Sequence, residues 1–240
     1  MAPRVDLPDH RPVRDKDAAL VQQMFDRVAP RYDIANTVFS FGLDRHWRAV
    51  TVDALAPRHG ALIVDVAGGT GALAAMLAAR GARVLVADLS FEMVRVGTLR
   101  VAGSVDWTVA DALRLPLPDA SVDAVTIAFG LRNLNDLHAG LAEFRRVARP
   151  GGHLAVLEFS RPVRPIVDAL YRRYLLGVLP RAAHLITSDP AAYTYLARSI
   201  AAWPDQRRLA AIIRDSGWGH VRWKNLSGGI VALHHAVRPG

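Results

Sequence analysis

Between residues 61 and 159, apolar runs of strand length alternate with stretches of helical period. The runs are ALIVDV (61–66), ARVLVAD (82–88), VDWTVAD (105–111), VDAVTIAF (122–129) and HLAVLEF (153–159). The intervening GALAAMLAAR, SFEMVRVGTLR and NDLHAGLAEFRRVAR repeat apolar residues at intervals of three and four. A strand apolar on both faces has to be covered on both, and intervening helices do this for a parallel sheet. ARPGG (148–152) supplies a Pro-Gly stop that ends one helix and turns into the fifth strand.

Each end of the chain departs from this alternation. Residues 1–16 carry three prolines and no periodicity, and read as a flexible lead. Residues 17–58 have helical period and form a cap of helices ahead of the sheet. Residues 161–214 are mainly helical again, and PIVDALYRRYLLGVLPRAAHLI (165–186) mixes apolar and arginine positions at helical spacing. HVRWKNL (220–226) and IVALHHAV (230–237), joined by Ser-Gly-Gly, read as an antiparallel hairpin over 220–238. An α/β chain whose mostly parallel, seven-stranded sheet ends this way resembles the Rossmann-like class I fold of S-adenosylmethionine (SAM) dependent methyltransferases. Residues 17–240 are then a single domain around a 61–160 core, and 51% apolar content can fill it.

Composition removes several function classes. Cysteine is absent, which excludes disulfides, thiolate metal sites and a cysteine nucleophile. No apolar stretch reaches the ~18 residues that span a bilayer, and no secretory leader opens the chain. The expected location is cytoplasmic, peripheral to the inner face of the cell membrane. The net charge of +8 is almost all arginine, since Lys16 and Lys224 are the only lysines. Such charge attracts anionic membranes or nucleic acid; its even spread fits equally a genome that writes arginine for lysine.

DVAGGTG (65–71) follows the first strand and opens a helix. Asp65, Gly68, Gly69, Thr70 and Gly71 form a turn tight enough for backbone to approach a ligand, beside a helix N-terminus that favours a negative group. Asp88 closes the second run, 19 residues beyond Gly69, where a carboxylate can accept both hydroxyls of a ribose; Leu89 follows it. Asp111 and Ala112 close the third run beside the same crevice. GTGALA also fits the dinucleotide fingerprint, so NAD competes with SAM here. The hairpin, the ARPGG turn and Asp111-Ala112 favour SAM, and a dehydrogenase would need a substrate domain for which this chain has no segment. A sulfonium methyl donor needs only orientation and a nucleophile in line, so no metal is expected. His234 and His235 are adjacent on a strand, point to opposite faces and read as structural or surface residues.

Enzymes that methylate exocyclic amines of bases commonly carry an Asn/Asp-Pro-Pro-aromatic motif after the fourth strand. FGLRN stands there instead, and nucleic acid is not an expected partner. Over residues 20–238 the chain resembles the ubiquinone/menaquinone biosynthesis C-methyltransferase family. The matching stretches are MFDRVAPRYDIANTVFSFGLDRHWR (24–48), DVAGGTG, TIAFGLRN (126–133), RPGGHLAVLEFS (149–160), YLARSI (195–200), WPDQ (203–206) and NLSGGIVALH (225–234). Within that family it is most similar to the demethylmenaquinone methyltransferases of high-GC bacteria.

The resemblance implies methylation, by SAM, of a ring carbon on a polyprenylated quinol: demethylmenaquinol to menaquinol. It implies Arg132 as a fixed cation beside the phenolate, Asn133 orienting the oxygen, Asp33 as a base and Tyr32 holding the ring; read from the residues alone, Asp33 and Tyr32 fit equally a helix-start aspartate with a packing tyrosine, and Arg132-Asn133 a surface loop. A phenol ionises near pH ~10 unperturbed, so a site of this kind has to stabilise the anion. Where relatives commonly read TISFGLRN, Ala128 replaces a serine that contacts SAM in the family, a loss worth ~1 kcal/mol. The partners expected are the quinol, an anionic membrane surface and a second copy of the chain. A benzoquinol precursor, another small phenol, or NAD binding by a basic regulator or reductase stand as alternatives.

Overall fold

The computed structural model describes residues 23, 26, 37, 40–101, 103, 105–178 and 190–240. The expected lead, 1–16, lies outside the described residues, and so does most of the cap before residue 40. The cap helix α1 (Leu43–Leu55) buries Trp47, Thr51, Val52 and Leu55, the three- and four-residue spacing of one face.

The five apolar runs form five parallel strands: β1 (Leu62–Val66), β2 (Arg83–Asp88), β3 (Val105–Val109), β4 (Val122–Ala128) and β5 (Ala148–Phe159). Between them stand α2 (Ala72–Ala78), α3 (Phe91–Arg100) and α4 (Leu137–Val147). Beyond β5 come α5 (Pro165–Arg173), a π-turn at Tyr174–Val178, α6 (Pro190–Ala202) and α7 (Gln206–Asp215). The expected hairpin closes the chain as β6 (Gly219–Leu226) and β7 (Val231–Val237). The seven-stranded order is β3-β2-β1-β4-β5-β7-β6, with β7 antiparallel to both neighbours.

Alternate residues of the strands supply two cores. Val64, Val66, Val125 and Ile127 pack with Leu141, Phe144, Leu209 and Ile213 on one face. Ile63, Val84 and Ala124 pack with Trp47, Val52, Leu73 and Leu77 on the other. Covering both faces is what makes the strands apolar throughout.

ARPGG behaves differently from a plain stop. Val122 pairs with Ala148 and Ala124 with His153, so residues 149–152 bulge out opposite Asp123 within a longer strand. Gly151 has φ 76°, and Arg149 Nη1 reaches Asp123 Oδ1 at 2.8 Å. His234 and His235 are both buried: His234 Nε2 meets the Gln206 carbonyl at 2.9 Å, and His235 Nε2 meets His153 Nδ1 at 3.2 Å. Two of the recognised stretches are ties in this scaffold. Gln206 of WPDQ donates from Nε2 to the Arg161 carbonyl at 2.8 Å, and Trp47 donates to Ser227 Oγ of NLSGG at 2.9 Å.

Candidate active site

Strand order reverses between β1 and β4, and in an open α/β sheet the crevice at the carboxyl ends of such strands takes the ligand. Both strands leave through a non-glycine residue in left-handed backbone, Ala67 (φ 49°) and Phe129 (φ 60°). Such conformations cost of order 1 kcal/mol or more and collect at functional sites. Gly130 lets the two loops meet, because a Cβ there would lie 2.6 Å from that of Ala67.

A cavity opens at this crevice. Asp65 of β1 lines it with Gly68, Gly69 and Thr70 of the following loop, Asp88 at the end of β2 with Leu89, and Asp111 and Ala112 beyond β3. Ala128 at the end of β4 and Asn133 beyond it also line it. Gly71 does not belong to this wall. At φ 80° it faces β3, and a Cβ would sit 2.5 Å from the Trp107 ring, so it is glycine for the sake of packing.

Asp65 is 1% exposed and accepts from Thr126 Oγ1 at 2.7 Å, while its Oδ2 has no hydrogen-bond partner among the described residues. Burial raises its pKa to about 7; the Thr126 bond and the Arg48 charge act in the opposite direction. A Cβ on Gly68 would lie 2.9 Å from that free oxygen, so the glycine keeps the space beside the carboxylate open. Asp88 accepts from Gly69 N–H at 2.8 Å on one oxygen and from Ser90 N–H at 2.9 Å on the other. Burial pushes its pKa up, and these two amides oppose the shift. Each oxygen retains a lone pair for a hydroxyl donor. Asp111 is exposed and holds its loop through the Leu113 N–H at 2.9 Å. Ala128 presents only a methyl group where the family's serine would offer a hydroxyl.

Arg132 and Asn133 separate. Arg132 is 3% exposed, and its Nη1 lies 3.0 Å from Oε1 of Glu158, itself 1% exposed. The same nitrogen donates to the Phe129 carbonyl, and the guanidinium sits 5.3 Å from the centre of the Phe159 ring. Glu158 Oε2 also accepts the Arg132 backbone N–H at 3.2 Å. The guanidinium therefore lies beneath the turn, off the cavity wall. Asn133 is on the wall, and its Oδ1 accepts from Tyr195 Oη at 3.2 Å. Tyr32 and Asp33 lie outside the described residues.

Sequence reasoning passed over Glu158, Arg48 and Ser90. Glu158 had a legible signal, an acid inside the apolar run AVLEF, which has to find a partner. Arg48, paired with Asp44 at 2.7 Å and 5.5 Å from the Phe129 ring centre, reaches the cavity from α1. Ser90 caps α3 through the Met93 N–H and contacts Asp26 Oδ1 at 2.5 Å. Among the described residues, no group of three or more metal-ligating side chains occurs. Nor is any described helix long and apolar enough to cross a membrane.

The model of the ubiE/COQ5 methyltransferase family matches residues 13–238. A demethylmenaquinone methyltransferase of Mycobacterium sp. (strain KMS) is 51% identical over 229 residues, 95% of this chain and 98% of its own. That of Corynebacterium kroppenstedtii is 47% identical, over 95% of this chain and 99% of its own. A SAM-dependent methyltransferase from Aquifex aeolicus superposes with a TM-score of 0.59 at 19% identity, covering 92% of this chain and 98% of its own. The [4+2]-cyclase SpnF gives 0.67 at 18%, covering 91% and 95%. Likeness at that identity speaks for the fold, which is class I, and not for the reaction.

Proposed function

This chain belongs to the ubiE/COQ5 methyltransferase family, and on that premise we propose that it methylates a ring carbon of demethylmenaquinol with SAM. The observation that carries the reading is the 51% identity, along 95% of the chain, to a demethylmenaquinone methyltransferase. The cavity fits SAM on its own chemistry. The unpartnered Asp65 oxygen, in space kept open by Gly68, suits the ammonium, and Arg48 suits the carboxylate at the same end. Asp88 suits the ribose hydroxyls, and Asp111-Ala112 the base.

When bound, SAM supplies a methyl group already activated on a sulfonium. The protein's task is to make the quinol carbon nucleophilic and hold it still. Loss of the proton from the neighbouring hydroxyl pushes electron density onto that carbon. Asn133, on the wall and braced by Tyr195, orients the oxygen through its amide N–H. Arg132, its charge offset by Glu158, holds from beneath the turn that presents Asn133. Asp33 and Tyr32 are our candidates for the base and for the group that holds the ring.

The prenyl tail calls for a site close to a membrane. Phe41 (79% exposed), Ile166 (83%) and Leu170 (69%) present apolar side chains to solvent. Ile166 and Leu170 share one face of α5, and exposed Arg161, Arg164 and Arg173 flank them. Vesicles containing anionic lipid should carry the protein in flotation, and neutral vesicles far less. The decisive assay incubates the enzyme with SAM and demethylmenaquinol under reducing conditions, beside a benzoquinol analogue. Menaquinol formation is expected; turnover of the benzoquinol alone would overturn the substrate.

A further inference from the structure

YLARSI (195–200) lies on α6, and its first residue ties that helix to the cavity. Tyr195 Oη donates to Asn133 Oδ1 at 3.2 Å, across 62 residues of chain. The backbone of Asn133 is fixed separately, its N–H donating to the Gly130 carbonyl at 3.0 Å within the turn Leu131–Asn133. What Tyr195 holds is therefore the side chain, and that side chain lines the cavity. An asparagine amide carries an acceptor oxygen on one side and a nitrogen with two donors on the other, and a half-turn about χ2 exchanges them. With Oδ1 engaged by Tyr195, the amide nitrogen is the end that remains to face a ligand.

A phenolic hydroxyl that keeps its proton can hold an amide this way. Burial pushes the Tyr195 pKa above the ordinary phenol value, so the donor survives throughout the working range. An Oδ1 turned to the cavity would set lone pairs against an ionised ring oxygen, whereas an Oδ1 turned to Tyr195 leaves two N–H donors for it. Resting on the quinol reading above, we propose that Tyr195 is a positioning residue that sets the orientation of the Asn133 amide, so that the cavity offers donors to the acceptor's ring oxygen in its ionised form. Tyr195 stands behind the wall, moves no proton and acts through Asn133. A hydrogen bond to a charged oxygen is about twice as strong as a neutral one, so the contact strengthens as the hydroxyl ionises and the ring carbon becomes nucleophilic. A bond that only pinned α6 to the turn would be indifferent to which end of the amide it takes.

A double-mutant cycle on Tyr195→Phe and Asn133→Ala tests this, read as kcat/KM with demethylmenaquinol and with the benzoquinol analogue, beside SAM affinity by calorimetry. Tyr195→Phe deletes one oxygen and frees the amide to turn, and kcat/KM should fall about five- to tenfold, mostly in kcat. Asn133→Ala should lower it about 10- to 100-fold. The double variant should match Asn133→Ala to within about twofold, because Tyr195 then has nothing left to orient. SAM affinity in Tyr195→Phe should stay within about twofold of wild type, which places the loss after cofactor binding. Factors that multiply in the double variant overturn the assignment, in favour of a tie between α6 and the turn. So does Tyr195→Phe with full kcat/KM, or with activity and SAM affinity lost together. Wild type that turns over the benzoquinol but not demethylmenaquinol, with the coupling intact, overturns the substrate reading and upholds the role of Tyr195. Wild type inactive on both overturns the two together.

Discussion

Asp65→Asn should remove a pH dependence that the wild-type cavity imposes on SAM binding. Burial holds the Asp65 carboxyl protonated up to about 7, whereas an exposed aspartate ionises near ~3.9. A ligand ammonium selects the ionised form, so affinity follows the ionised fraction. For a pKa of about 7 that fraction is about 0.76 at pH 7.5 and about 0.09 at pH 6, roughly an eightfold change in Kd, or about 1.2 kcal/mol. An α-amino group of pKa ~7.7–8.0 is still roughly 60–75% protonated at pH 7.5, which opposes the rise and trims it to about five- to sixfold, so the upward slope belongs to the protein. Affinity therefore rises with pH between 6 and 7.5. Calorimetric titration in two buffers of different ionisation enthalpy reads Kd and proton release together. Wild type should release close to one proton on binding at pH 6. Asp65→Asn should bind more weakly at pH 7.5, with a flat profile and no release. A wild-type Kd that is constant from pH 6 to 7.5, or a slope that survives in Asp65→Asn, refutes the reasoning.

Arg132→Ala leaves Glu158 charged and buried without its cation, and should cost about 3–5 kcal/mol in urea unfolding as well as turnover. Gly97→Ala places a methyl 2.2 Å from the Trp107 ring and should destabilise by about 1–3 kcal/mol, measurable as a lower thermal midpoint. His234 is held neutral by burial, its pKa lowered to about 4 from an ordinary ~6.5. The unfolded chain therefore takes up its proton first, and this contribution is lost as pH falls from 6.5 toward 4. It amounts to about 2–3 kcal/mol, read as the change in the stability difference between wild type and His234→Gln at pH 7 and 4.5.

Fold was legible where one residue's neighbours are set by period alone. The five apolar runs became the five parallel strands because a strand covered on both faces can carry little else. Position within the site was less legible, because it depends on partners far along the chain. Gly71 reads as one more cradle glycine, yet the atom it makes room for belongs to Trp107, on another strand. Arg132 reads as a cation offered to a ligand, and its carboxylate partner stands 26 residues away. The letters of DVAGGTG mark Asp65 as part of a turn, but the raised pKa comes from the surrounding burial, which no motif states. ARPGG has the composition of a turn and is absorbed as a bulge, since the pairing of β4 with β5 continues on both sides of it.

The segment 126–133 carries the tightest geometric demand in the site, and its anchors explain how it meets that demand. Thr126 is bonded to Asp65 at one end, and Asn133 to Tyr195 at the other. Between them the chain passes through the left-handed Phe129 and a short 3-10 turn, a path that would be loose by itself. It is fixed to β5 at two successive residues: Phe129 N–H donates to the Leu157 carbonyl at 2.8 Å, and Arg132 N–H to Glu158. The Phe129 ring is also held 4.9 Å from Phe159 and 6.0 Å from Trp47. In-line transfer loses rate steeply when the reacting atoms shift by an ångström, so the clamp matters even though Glu158 is not on the cavity wall. Its charge offsets that of Arg132, and its two oxygens set where Asn133 stands. A carboxylate buried in an apolar strand is costly to keep, and holding this turn in register with the carboxyl end of β1 is a function that warrants the cost.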